Sequence, residues 1–172
     1  VWNDGDADFT TNTIPEKWKD ESGIIIAQKT KFAFDKDANK LAVYEITRRR
    51  IKLNDRDAVN SYSSVYFRIG SSQDGAGIKV IKANGTVQDV SFRNAVYVED
   101  PSDVPGTFQP YIGKASTYYD KSKSRVIYYK LAIPDLDPGD IIDYGTIFYD
   151  DNTVKKMSFI EFDPIYYVCT RE

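Results

Sequence analysis

The sequence predicts an all-β domain, a two-sheet β-sandwich entered through one short N-terminal helix. Apolar residues alternate with a period of two through most of the chain after residue 23. Aromatic residues reach 14%, with 13 Tyr and 9 Phe, types that suit the half-buried surface of a pleated sheet. Gly, Pro, Asn and Asp break the alternating runs at short, near-regular intervals, the spacing expected of about nine or ten short strands stacked in two layers.

Taken in order, residues 1–12 carry Asp4, Asp6 and Asp8 around Gly5 and read as a flexible arm. Thr13-Ile14-Pro15-Glu16 has the spacing of a capping box, in which Thr13 accepts from the backbone of Glu16 and Glu16 reaches back. Pro15 forfeits only an amide that lacks a helical partner in the first turn. A short helix over 14–20 follows, placing Trp18 against the sheet, and Ser22-Gly23 ends it. Strands are expected over 23–34, 40–53 and 64–69. Residues 78–90 form a hairpin, with Asn84-Gly85 supplying the positive φ angles of a type I′ turn. Pro101, Pro105, Gly106 and Pro110 make 100–110 an irregular loop.

Strands resume over 116–119, 125–133, 141–149, 154–162 and 165–170. Between two of them, Asp135 to Asp140 form a turn in which Pro138 presets φ and Gly139 takes the left-handed position. Asp150-Asp151-Asn152 marks another turn. No fixed-period repeat or linker divides the chain, so residues 13–172 are expected to be one β-sandwich domain, a module of a longer protein. A chain near this length buries about 68–70% of its unfolded surface, enough for a substantial core.

Composition excludes several chemistries. The net charge is −3 and the sequence pI about 5.1, the opposite of the basic footprint of a nucleic-acid binder. Arg48, Arg49 and Arg50 form the one basic run, and in a strand they alternate faces, so a solvated strand face is expected. There is one cysteine, Cys169, and no histidine. That removes internal disulfides, multi-cysteine zinc sites, Ser-His-Asp and Cys-His catalysis and His-based acid–base work. No stretch approaches the roughly 18 apolar residues of a membrane-spanning helix.

Three segments together resemble a known family. Residues 128–144 run Tyr-Tyr-Lys-Leu-Ala-Ile-Pro-Asp-Leu-Asp-Pro-Gly-Asp-Ile-Ile-Asp-Tyr, and are similar to a block of a bacterial domain of unknown function that precedes transglutaminase-like (papain-like) cores. In the same order, Arg48-Arg49-Arg50-Ile51-Lys52-Leu53-Asn54 resembles a strand of that family and Ile78 to Thr86 its hairpin, with Ala83-Asn84 where the family often has Pro-Asp. Trp18-Lys19-Asp20-Glu21-Ser22 resembles its entry. The likeness covers roughly residues 18–149, and its pieces are turn and strand patterns, none a catalytic signature. It implies an immunoglobulin-like sandwich preceding a transglutaminase or protease core in an exported or membrane-anchored bacterial protein, in the periplasm or at the cell surface. The Cys-His-Asp triad of such a core would lie beyond Glu172.

No residue is assigned a catalytic, cofactor-binding or metal-binding role, and ligand-binding residues are left open. Cys169 lies in Tyr166-Tyr167-Val168-Cys169 without a possible His base, which favours a small buried hydrophobe over a nucleophile. Asp4, Asp6 and Asp8 open like a calcium loop, but the place of the bidentate Glu falls on Pro15. Asp135, Asp137 and Asp140 crowd one turn and could hold a hard cation, although Asp at turns more often caps its own backbone. In Tyr118-Tyr119, Tyr128-Tyr129 and Tyr166-Tyr167, neighbours point to opposite faces, so each pair offers one core ring and one surface ring. Surface rings can stack on sugar or protein; cross-strand packing is the plainer role.

The expectation is therefore a non-catalytic accessory module without a cofactor, whose partner is an adjoining transglutaminase-like domain or another protein. The alternative is a carbohydrate-binding or cell-surface-binding sandwich that takes surface polysaccharide. A third reading is an enzyme working through Asp, Glu, Tyr and Lys alone.

Overall fold

A computed structural model describes residues 6–37, 40–108 and 127–150. The described residues are mostly β, arranged as two antiparallel sheets with one α-helix among them. The strands are β1 (Gly23–Asp37), β2 (Lys40–Leu53), β3 (Ser64–Arg68), β4 (Gly75–Ile81), β5 (Val87–Asp89), β6 (Val96–Val98), β7 (Tyr128–Ala132) and β8 (Ile141–Asp150). The larger sheet runs β1-β2-β8-β4-β5 and the smaller β3-β7-β6. The expected strands over 116–119, 154–162 and 165–170 lie outside the described residues, as do Asp151, Asn152, Cys169 and the Tyr118-Tyr119 and Tyr166-Tyr167 pairs.

Both sheets feed one apolar core. Ile51 and Leu53 of β2, Ile78 and Val80 of β4, and Ile142 and Tyr144 of β8 meet Val65 and Phe67 of β3 and Leu131 of β7. The alternation is visible in the register: Ile51 pairs with Ile142 and Arg49 with Tyr144, so odd positions of β2 share the inner face with even positions of β8. A smaller cluster of Val43 and Phe148, with Phe32 against it, extends the large sheet's apolar surface.

The expected helix over 14–20 is instead a single 3-10 turn, Glu16–Trp18. Its N-cap is Pro15, which has no side-chain oxygen to offer, and no side-chain cap bond forms. Thr13 stands out of register for the box. An α-helix that sequence reading missed, α1 (Arg56–Tyr62), follows β2. Asp55 caps it by accepting the Ala58 amide at 2.9 Å, and Ser22 donates to the other Asp55 oxygen at 2.6 Å. The Ser22 bond, then the Ala58 bond, hold the Asp55 carboxyl below its ordinary pKa. With only seven residues, α1 is too short for its period to stand out.

The β4–β5 hairpin forms at the expected residues with a different turn. Gly85 alone takes a positive φ, 86°, while Gly85 N–H donates to Lys82 O and Lys82 N–H to Thr86 O, both at 2.8 Å. This is a three-residue loop in which a type I turn is completed by a left-handed glycine, so Asn84 needs no positive φ.

The Asp135–Asp140 turn is the junction of the large sheet. Gly139 has φ 96°, as its place in the sequence requires, and its N–H donates to Leu53 O at 2.6 Å. Leu53 N–H in turn donates to Asp140 O at 2.9 Å. The Asp140 carboxylate, 1% exposed, accepts from Ala83 N–H, Asp137 N–H and Lys82 Nζ. Backbone and side chain at Gly139-Asp140 together thus tie the end of β2, the β4–β5 turn and the start of β8. Asp135 also takes a left-handed φ, 55°, and Leu136 beside it enters the core.

These two glycines give an ordered expectation. A Cβ at Gly85 would meet nothing within 4 Å, whereas one at Gly139 would lie 3.2 Å from the Ala83 Cβ. Gly85→Ala should therefore cost about 1 kcal/mol through backbone strain alone, and Gly139→Ala about 2 kcal/mol or more. Urea unfolding of the two variants measures the difference, and equal midpoints would contradict the junction role of Gly139.

Candidate interaction site

Sequence reading expected Arg48–Arg50 to be a solvated strand face. The structure corrects this: the three residues are only 9%, 8% and 6% exposed. Alternation sends Arg48 and Arg50 to the outer face of the large sheet and Arg49 to the inner face. The outer pair closes on Asp143, which stands directly opposite Arg50 in the register. Arg48 donates to both carboxylate oxygens, from Nε to Oδ1 at 2.9 Å and from Nη2 to Oδ2 at 2.7 Å. Arg50 donates to Oδ2 from Nη2 at 2.7 Å and from Nε at 3.2 Å. Gly145 pairs with Arg48 on the same face, so no side chain from that position crowds the guanidinium.

What buries this network is the N-terminal segment. Residues 6–12 lie across the outer face, turned by one 3-10 turn, Ala7–Phe9. The Phe9 ring, 4% exposed, covers the Arg48 guanidinium at 4.2 Å and stands 6.0 Å from that of Arg50. Arg50 Nη1 donates to Asn12 Oδ1 at 3.1 Å, and Thr11 O lies 3.5 Å from the same atom. Lys29, which pairs with Arg48 in the β1–β2 register, donates to Asp6 Oδ2 at 2.9 Å. Sequence reading missed this site. The pointer to it was an Arg-x-Arg spacing on one strand and a single Asp at odd parity on another, and only the register joins them.

On the inner face Arg49 donates to Gln28 Oε1 at 2.7 Å and to Thr107 O at 3.2 Å. Arg68 lays its guanidinium 4.0 Å from the Phe148 ring. Tyr144 donates its hydroxyl to Tyr66 O at 2.6 Å, and burial pushes its pKa well above the ordinary tyrosine value. Of the Tyr128-Tyr129 pair, Tyr128 is buried and Tyr129 half-buried. Tyr129 stacks on Phe67 at 5.8 Å and meets Tyr97 edge-on at 6.4 Å, so a row of rings leads from the core to the surface. Tyr97 is 45% exposed, and Val96 and Val87 more so, on the short edge strands β6 and β5.

Among the described residues no three His, Cys, Asp or Glu side chains converge as metal ligands. The Asp140 oxygens at the crowded turn are filled by N–H donors, and Asp137 faces Arg56 and Lys82 at 3.6 Å. Of the acidic arm, Asp6 binds Lys29, while Asp4 lies outside the described residues. The arrangement can hold strands in register and present an aromatic edge; the Asp143 and Asp140 carboxylates both already accept several donors.

No family model matches the chain, and no curated protein matches it. A solved structure from Parabacteroides distasonis ATCC 8503, named a "putative protease", is similar over 62% of this chain with 15% identity and a TM-score of 0.41. This chain spans 19% of that protein's length.

Two outcomes follow from the buried charges. Asp143→Ala strips two buried guanidinium groups of their shared carboxylate and is expected to cost about 3–5 kcal/mol in urea unfolding. Replacing all three with apolar residues, Arg48→Met, Arg50→Met and Asp143→Leu together, should cost much less than the single change, because no charge is left unpaired.

The second outcome concerns alkaline pH. Tyr144 has a raised folded pKa, so its contribution is complete below the unfolded value of about 10 and declines above it, where the unfolded chain sheds a proton that the folded one retains. Lys82, raised chiefly by its hydrogen bond to Asp140, likewise contributes fully below its unfolded pKa of about 10.4 and loses that contribution as pH rises through the folded value. Stability should therefore fall above about pH 10, and Tyr144→Phe should flatten the fall. Urea midpoints between pH 8 and 11 provide the measurement, and an unchanged slope in the variant would contradict it.

Proposed function

We propose that this chain is an immunoglobulin-like β-sandwich that serves as a non-catalytic accessory module of an exported transglutaminase-like protein, placed before the core and outside the cytoplasm. The observation that carries the reading is where the family-like segments meet. Residues 48–54, 78–86 and 128–144 are far apart in sequence, yet Leu53, Lys82 and Ala83 all bond to the Gly139-Asp140 corner. A likeness that falls on a shared structural junction suits a module defined by its scaffold. The lack of His supports the same reading, since the chain supplies no base for a Cys nucleophile.

The face that would meet the adjoining domain is the edge strand β6 of the smaller sheet, where the consecutive residues Val96 and Tyr97 are exposed. Large apolar side chains grouped at a sheet edge mark protein contact surfaces more often than isolated ones do. The parent protein, expressed with and without this segment, tests the reading. Deletion should lower the yield or activity of the downstream core, and Val96→Ser with Tyr97→Ser should reproduce part of that loss. A core that folds and works equally well without the segment would overturn it.

Tyr97 also favours a second reading, a polysaccharide-binding sandwich, because an exposed ring braced by Tyr129 can stack on a sugar face. Titration with cell-wall polysaccharide decides: saturable binding lost in Tyr97→Ala supports it, and no binding at millimolar ligand removes it.

A further inference from the structure

Phe9 is buried without belonging to either apolar core cluster. Its seat is the Arg48 guanidinium, itself pinned flat by two bonds to Asp143. The contacts that hold residues 6–12 are of the kind that recognise a peptide. An aromatic ring lies on a cation, a carboxylate binds Lys29, and amide oxygens meet the free edge of Arg50. No strand pairing joins the segment to the sheet in the described topology, so side chains and single polar contacts supply the attachment. None of the bonds from Arg48 and Arg50 to Asp143 involves the arm, so the guanidinium groups have a partner in the sheet that is independent of the ring above them.

We propose that this outer face, built by Lys29, Arg48, Arg50 and Asp143, is a peptide-binding site whose resident ligand is the chain's own residues 6–12. A separate peptide of the same chemistry takes the seat when the arm is away: an aromatic residue with an acidic residue three places before it and an amide side chain three places after it. The arm therefore acts as an intramolecular competitor. A tethered competitor works at an effective concentration in the millimolar range, so an arm whose own dissociation constant as a free peptide is near 0.1 mM should weaken the binding of an incoming peptide by about tenfold.

The test uses the full chain and a fluorescent peptide with the sequence of residues 5–13, followed by anisotropy. Phe9→Ser unseats the arm; this folded variant should bind the peptide about tenfold more tightly than the unaltered chain does. Peptides carrying Phe9→Ala or Asp6→Lys should lose most of that binding. Asp6→Lys in the protein provides a milder release, since it replaces attraction to Lys29 with repulsion while leaving the sheet untouched, and it should give an intermediate gain. If Phe9→Ser does not fold, the Asp6→Lys chain alone decides. No gain over the unaltered chain in either folded variant would overturn the proposal, as would a peptide without the aromatic ring that binds equally well.

Discussion

A carboxylate that cannot reach water must be fully occupied by donors, and Asp143 meets that demand with two guanidinium groups from one neighbouring strand. It lies on β8, between β2 and β4 in the middle of the large sheet. Arg48 and Arg50 reach it because residues two apart on β2 share a face, while Arg49 turns inward to Gln28. A slip of one residue that turned β8 over relative to β2 would carry Asp143 to the inner face among apolar side chains and expose Ile142 on the outer face. The ion network thus fixes the register that the apolar alternation also requires, and each penalises the error the other would tolerate. Net stabilisation from such a network is modest after desolvation; its larger effect is to make the wrong pairings expensive.

Asp140 performs the matching task at the strand's beginning. Three residues before Asp143 in the chain, it gathers the Ala83 and Asp137 amides and the Lys82 ammonium. The backbone beside it exchanges bonds with Leu53 at both Gly139 N–H and Asp140 O. The central strand is therefore positioned laterally by Asp143 and longitudinally by Asp140. The small sheet is joined differently, through Val65, Phe67 and Leu131 in the shared core and the Tyr144 hydroxyl on Tyr66 O. Polar fixation within the large sheet and apolar packing between sheets divide the work.

Sequence alone revealed the elements whose signal is local. The β2 limits, the β4–β5 hairpin position and the left-handed Gly139 all follow from period-two alternation and turn chemistry. Three features failed for reasons that are also physical. Asn84-Gly85 suggests two positive φ angles, but a three-residue loop needs only Gly85. Thr13 has the residue type of a cap, yet Pro15 occupies the capping place. Arginine in a strand reads as solvated because its partner is unknown; Asp143 lies 93 residues from Arg50, and nothing short-range announces the pair. The candidate site was invisible for the same reason. Phe9 sits in an acidic, Gly-containing stretch that reads as a loose arm, and its seat exists only once β1, β2 and β8 have paired.

The strengths of these contacts set how the molecule opens. A ring over a guanidinium contributes about 0.5–2 kcal/mol, and the partly exposed Asp6–Lys29 pair about 0.2–1 kcal/mol. The arm is thus held by a few kcal/mol, well below the stability expected of a whole domain, about 5–15 kcal/mol. Local release of residues 6–12 therefore precedes any loss of the β2–β8 pairing, and occurs many times for each global unfolding. During such a release the Arg48–Asp143–Arg50 network gains water but keeps its internal bonds, since none of them involves the arm. The surface it uncovers is already shaped and charged. A fold that buries two arginines beneath one phenylalanine has placed a weakly held segment over a polar, ion-paired surface, and the balance of those two energies governs access to it.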